Sequence, residues 1–354
     1  MIAYLVIEND QNLYIMKKLT LPTAFLLSAY ALVSCSTDNE SVDDTSIAFD
    51  GPKVTLFTGS NTSGKINMFD LSDMKNITNK SFQSSSRDSG GLRFDPINGS
   101  LIEASRSESN VLVFENINNM QSGASLAPSL RADVEVKNAR DIAVSGNRIV
   151  VSADALEPRD SNKFYVYESN GSSLRLVKIF ETGYQHWGIF IEGNRLYAAM
   201  DNSNSIAVYN DFFNKPAGVL TADDVVNVEG AQSLRGITYD EFEDTLFLAD
   251  VGNPLDDSDG AIHTIKNFSV KYSGMGSYGS FAAVDVKTVR GSKSMLGNPV
   301  ALEYDTIGKV LYAAERSTNG GMALGFNKLD EAGDFAPMMQ QSVSGISSIH
   351  LNVE

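Results

Sequence analysis

The sequence predicts an all-β protein, a six-bladed β-propeller of four-stranded antiparallel blades, with the ring closed by the C-terminal strand pairing into blade one. The first observation is a repeat. A strand ending in small residues recurs as Leu56-Phe57-Thr58-Gly59, Leu101-Ile102-Glu103-Ala104, Ile149-Val150-Val151-Ser152, Leu196-Tyr197-Ala198-Ala199, Leu246-Phe247-Leu248-Ala249 and Leu311-Tyr312-Ala313-Ala314. The intervals between the last residues are 45, 48, 47, 50 and 65, a period that marks a solenoid or propeller. The second observation is a partner strand ahead of most copies, as in Gly91 to Asp95, Gly188 to Ile191 and Ala301 to Asp305, joined by turn residues such as Pro96-Ile97-Asn98-Gly99. The third is that copy one lacks this leading strand while the chain ends on Ser344-Gly345-Ile346-Ser347-Ser348-Ile349-His350-Leu351. Pairing the last strand with the first removes the free sheet edges.

Each blade follows from local pattern. A third strand alternates apolar and polar residues at Lys65 to Asp70, Asn110 to Phe114, Lys163 to Tyr167 and Ser205 to Tyr209. An outer fourth strand, such as Leu174 to Phe180, completes the unit. The long fifth interval is read as an insertion in blade five, because residues 251–299 hold no clear copy of a further hairpin. The repeated Leu, Ile, Tyr and Phe are core between blades, and Ala or Gly at strand ends lets the sheets approach near the axis.

Ahead of the repeats, Lys17-Lys18 precedes the short apolar run Leu19 to Val33 and then Ser34-Cys35, the order of a secretory signal peptide. Met16 is the expected start, which makes residues 1–15 a mis-annotated gene start and residues 16–34 the leader. Leu32-Val33-Ser34-Cys35 resembles the lipobox of bacterial lipoprotein precursors, which implies cleavage before Cys35 and lipid on its sulfur and new amino terminus. Cys35 is the only cysteine of the chain, so an intramolecular disulfide and a cysteine-rich zinc site are excluded. Residues 35–49 read as the lipidated cysteine and a flexible acidic tether, and residues 50–354 as the propeller. Acidic residues after the cysteine resemble surface-export signals of lipoproteins in the Bacteroides and Flavobacterium groups. That resemblance implies an outer-membrane lipoprotein facing the cell surface, with a periplasmic orientation as the alternative.

The chain carries 28 Lys plus Arg against 44 Asp plus Glu, a formal charge of -16. Such a balance argues against nucleic acid as a partner and against adhesion to anionic headgroups. The lipid on Cys35 is therefore the expected membrane contact, and the soluble domain is expected to be monomeric.

Aligning the repeats assigns one ligand-facing mouth. Just before the inner strands stand Gly90, Arg140, Trp187, Arg235, Val300 and Ser344, with His186 one place earlier; after the second strands stand Ser105, Asp154, Asp201, Asp250 and Glu315. The candidate binding face is Arg140, Asp154, His186, Trp187, Asp201, Arg235, Asp250 and Glu315. Trp187 would offer a flat apolar surface to a glycan, peptide or protein ligand and the charged groups its hydrogen bonds. The alternative is that Arg140 and Arg235 merely neutralise neighbouring acids in a narrow channel. The loop Asp250 to Gly260 holds Asp250, Asp256, Asp257 and Asp259, an oxygen density suited to calcium or another divalent metal. It does not match a calcium-hand loop.

The strand pattern of residues 50–354 resembles six-bladed propellers of the NHL-repeat, gluconolactonase-like and TolB-like class. Lactonase-like members hold a central metal with Glu, Asn and Asp, which leaves Asp201, Asp250, Asn253 and Glu315 as candidates here. No catalytic role is carried over, and no nucleophile with a general base can be named. The leading reading is a lipid-anchored, extracytoplasmic binding module acting through one face of the disc. The alternative is a metal-assisted hydrolase of a lactone or related small ester.

Overall fold

The computed structural model describes residues 51–354, which form six sheets arranged as propeller blades. The leader, Cys35 and the tether lie outside the described residues. Blades two to six each run from an inner strand outward, beginning with Ser89–Asp95, Ala139–Ser145, His186–Glu192, Leu234–Asp240 and Pro299–Asp305. Blade one is built from both ends of the described chain. Its inner strand is Ile346–Val353, paired antiparallel with Val54–Ser60 from Val54 opposite Val353 to Ser60 opposite Ile346. Each inner strand contacts the inner strands of both neighbouring blades, so the ring is continuous.

The core is divided by the blades. Six apolar clusters fill the six seams, for example Phe57, Phe82, Leu92, Leu101 and Phe114 between blades one and two. The seam that closes the ring joins Leu56 and Phe69 of blade one to Tyr312 and Met339 of blade six. Near the axis the inner strands approach at backbone distance. A Cβ added at Gly188 would stand 2.4 Å from the Arg235 carbonyl oxygen, and one at Gly236 2.9 Å from Ala301 Cα. Glycine is required there because no side chain fits between adjacent strands.

Three blades carry a fifth strand that the sequence pattern does not reveal. The short segments Ser125–Leu126, Gly218–Val219 and Ser280–Phe281 pair parallel with the outer strands of blades one, three and four. Each protects an edge that would otherwise be open. The blade-five insertion falls between its third strand, Ala261–Lys266, and its fourth, Val286–Arg290, and contains the helix Phe268–Gly274. It is a brace, not a hidden hairpin: Phe268 packs 5.5 Å from Tyr197 and 5.4 Å from Tyr239, ring to ring.

One buried acid makes this fold sensitive to pH. Glu103, on the second strand of blade two, is 1% exposed and accepts from the Ser84 hydroxyl at 3.3 Å. Burial pushes its carboxyl up to about 7, with nearby serines only partly offsetting that effect. The folded protein therefore holds a proton that the unfolded chain releases above about pH 4.5. Stability present below that value is lost as pH rises through about 7. Urea denaturation of Glu103→Gln is expected to show a gain of about 3 kcal/mol over the parent at pH 8 and almost none at pH 4. Equal stabilities at both pH values would contradict the assignment.

Candidate functional site

In all six blades the register between inner and second strand slips by one residue where the inner strand begins. The slipped positions are Ser347, Gly90, Arg140, Trp187 with Gly188, Arg235 with Gly236, and Val300. Such bulges re-aim side chains at the end of a sheet. Blade one corrects the sequence reading by three residues. Ser344 lies in the turn that the Ile346 amide closes onto the Val343 carbonyl at 3.1 Å, and Ser347 occupies the equivalent place.

A second ring is set by a backbone hydrogen bond repeated in every blade. The residue after the second strand donates its N–H to the carbonyl of the loop entering the inner strand. The donors are Asn61 (2.7 Å to Gly345), Arg106 (2.8 Å to Asp88), Asp154 (3.2 Å to Asn138), Asp201 (3.1 Å to Gln185), Val251 (2.9 Å to Ser233) and Arg316 (3.1 Å to Asn298). Arg106 and Arg316 thus join the mouth, and sequence reasoning missed both.

Of the candidate residues, five come together. Trp187 of blade four is clamped between guanidiniums from the blades on either side, with Arg140 Cζ 4.4 Å and Arg235 Cζ 4.2 Å from its ring centre. Arg140 Nε donates to Asp154 Oδ2 at 2.6 Å, and Arg235 Nε to Asp201 Oδ1 at 3.2 Å. Arg235 also reaches Asn298 Oδ1 at 3.2 Å. The clamp is held from below by blade three: the Ser152 hydroxyl donates to the Trp187 carbonyl at 2.7 Å, and Asp141 accepts from the Ile189 amide at 3.0 Å. With two guanidiniums over its ring and 8% of its surface exposed, Trp187 is not the open platform expected from the sequence. It organises cations instead.

Three other candidates turn into the blades. His186 is buried against Phe164, its Nε2 2.9 Å from the Tyr209 hydroxyl, and burial pushes its imidazole down to about 3, so it is neutral at ordinary pH. Asp250 is fully buried and accepts from the amides of Gln232, Ser233 and Gly252 and from His263. Glu315, equally buried, accepts from the amides of Gly297, Asn298, Ser317 and Thr318. Both acids end the second strand itself, one residue short of the ring, and successive strand residues face opposite ways.

The four candidate metal ligands do not converge on one point. Asp250 and Glu315 are saturated by amides, Asp201 is paired with Arg235, and Asn253 lies in the exposed loop, where its amide donates to Asp259 Oδ2 at 2.9 Å. In the same loop Asp256 accepts from the Ser258 amide at 2.9 Å. Among the described residues no group of three or more His, Cys, Asp or Glu is placed to hold a metal ion. The string Asp250 to His263 (3.0 Å) to Thr288 (2.9 Å) has the order of an acid, imidazole and hydroxyl relay, but its acid and imidazole are sealed inside blade five.

The electrostatics of the mouth are uneven. Arg106 pairs loosely with Asp88 at 3.6 Å, whereas the Arg316 guanidinium has no hydrogen-bond or ion-pair partner among the described residues. Both guanidiniums are held below their ordinary value, first by burial and then by neighbouring arginines. Burial pushes the Asp154 carboxyl up, against the pull of Arg140. Four arginines therefore stand beside Asp88, Asp154 and Asp201 at the mouth, and the loop after the second strand of blade five brings Asp256, Asp257 and Asp259 to the same end.

No protein-family model matches the sequence, and no curated protein sequence matches it. Solved structures do. A chain of a nidogen and laminin complex superposes with a TM-score of 0.56 at 19% identity, covering 84% of this chain and 98% of that one. A putative 6-phosphogluconolactonase from Bacteroides fragilis gives 0.56 at 11% identity over 89% and 100% of the two chains. The periplasmic gluconolactonase of Pseudomonas aeruginosa gives 0.55 at 10% identity over 84% and 98%. The shared feature is the propeller fold. It carries no activity across at such identities.

Proposed function

We propose that this protein is a lipid-anchored, extracytoplasmic propeller that binds another molecule at the arginine-lined mouth of the disc. The observation that carries the reading is the assembly of Arg106, Arg140, Trp187, Arg235 and Arg316 from five blades at one end of the axis. Of the four arginines only Arg316 has a guanidinium with no hydrogen-bond or ion-pair partner among the described residues. The shape relatives include both a protein complex and gluconolactonases, so the fold leaves the ligand class open.

The anchor reading rests on the Lys17-Lys18 to Cys35 order in the sequence. The test is intact mass of the full chain recovered from membranes, beside Cys35→Ala. The parent is expected to begin at Cys35 with added acyl mass and the variant to move to the soluble fraction. An unmodified cysteine would sink the anchor.

A further inference from the structure

Resting on that reading of the mouth, we infer that its ligand is an acidic saccharide, bound through its negative group to Arg316 and Arg106 and through its hydroxyls to Asp88 and Asp154. The argument is one of unsatisfied hydrogen bonding. Arg140, Arg235 and Arg106 each have an aspartate, at 2.6, 3.2 and 3.6 Å, while the half-buried Arg316 has no acceptor among the described residues. A guanidinium offers five donors in a planar fork suited to a carboxylate, sulfate or phosphate oxygen pair. The same mouth contains orphaned acceptors: Asp88 Oδ1 and Asp154 Oδ1 are buried and have no donor. Asp154 is 6% exposed, and its other oxygen is taken by Arg140. Leaving such atoms unmet is costly.

A simple anion would satisfy Arg316 and leave the aspartate oxygens empty. A neutral sugar would do the reverse. A molecule carrying a negative group beside hydrogen-bond donors meets both, and closely spaced hydroxyl donors beside an acidic group are what a charged sugar ring presents. A peptide fits less well, since peptide sites use apolar sockets. Here the apolar members Trp187, Val251 and Val300 are 8%, 0% and 1% exposed. Arg106 is the residue that moves in this account. Its pair with Asp88 is the longest of the three and is made to Oδ2, so turning toward the ligand anion opens that side of the carboxylate, beside the unpartnered Oδ1, to hydroxyls.

Trp187 is the only tryptophan of the chain and sits between two of the arginines, so its fluorescence reports on the mouth. The full chain in detergent is titrated with oligogalacturonate, with a neutral galacto-oligosaccharide of equal length, with oligoglutamate and with inorganic phosphate. Oligogalacturonate is expected to give a saturable change that weakens with added salt. Arg316→Gln is expected to weaken it at least tenfold with an unchanged melting temperature, since its guanidinium holds nothing in the fold. Arg106→Gln provides a second variant and is expected to weaken binding in the same direction. A neutral sugar binding as tightly, Arg316→Gln and Arg106→Gln binding like the parent, binding confined to oligoglutamate or phosphate, or no binding at all would each overturn the inference. Arg316-dependent binding of oligoglutamate or phosphate alone would leave the mouth as a binding face and remove only the saccharide. The anchor stands or falls separately on the mass of Cys35.

Discussion

A chain ending at Ser342 is expected to lose cooperative folding, although it lacks only the last 12 residues of the sequence. Those residues supply the inner strand of blade one, Ile346–Val353, and with it the closure of the ring. Ile346 and Ile349 are 0% and 2% exposed, and burying such a side chain contributes about 1.5–3 kcal/mol. The partner strand Val54–Ser60 is buried along its whole length and would become an open edge. Blade two loses support as well, because the Ser347 hydroxyl donates to the Ser89 carbonyl at 2.7 Å and the Ser348 and Ser89 hydroxyls meet at 2.9 Å. The summed loss is on the order of the entire stability of a folded domain, about 5–15 kcal/mol. Urea denaturation and size-exclusion chromatography should show a broad, non-cooperative transition and association through the exposed edge. A sharp, monomeric transition at a urea midpoint close to the parent's would show that the inner strand of blade one is dispensable.

That strand also illustrates what the sequence makes legible. Blade number, strand order and ring closure rest on local alternation and on small residues recurring at a fixed period, and both survive in a single sequence. Side-chain facing at the mouth depends on a one-residue slip that periodicity does not encode. Counting from the last apolar residue of each second strand selects Asp250 and Glu315. Counting one residue further, as Asp154 and Asp201 already required, selects Arg106 and Arg316. The signal was present, but the two registers were merged. The clamp on Trp187 was not legible at all, because Arg140 and Arg235 are 47 and 48 positions away on separate blades and meet the indole only after closure. The short edge-covering pairs, such as Gly218–Val219, are too brief to carry a period.

Asp250→Ala is expected to destabilise the protein by about 3–5 kcal/mol, because it takes one carboxylate from several buried donors and from the Arg290 guanidinium 3.4 Å away. Asp250 accepts from the Gln232 amide at 2.9 Å, the Ser233 amide at 2.8 Å, the Gly252 amide at 2.9 Å and His263 Nε2 at 3.0 Å. Alanine leaves these donors buried without an acceptor, at about 1–3 kcal/mol for each that water cannot reach. The His263 hydrogen bond and the amides hold the Asp250 carboxyl below its usual range despite burial. Its stabilisation is therefore present above about pH 4 and is lost as pH falls through the lower folded value, so the parent and variant should converge in strong acid. Thermal melting at pH 7 is expected to fall by roughly 5–8 °C, since a domain of about 300 residues unfolds with an entropy of about 0.64 kcal/mol/K. The mouth should loosen with it. Asp250 fixes residues 232 and 233 directly ahead of the Arg235 bulge, as Glu315 fixes residues 297 and 298 ahead of Val300. Loss of that anchor frees Arg235 from Trp187, and the indole emission of folded Asp250→Ala should shift to the red. A variant that melted like the parent would return Asp250 to the list of groups available for metal or substrate, because an acid with such a role is free to be removed without disturbing four buried donors.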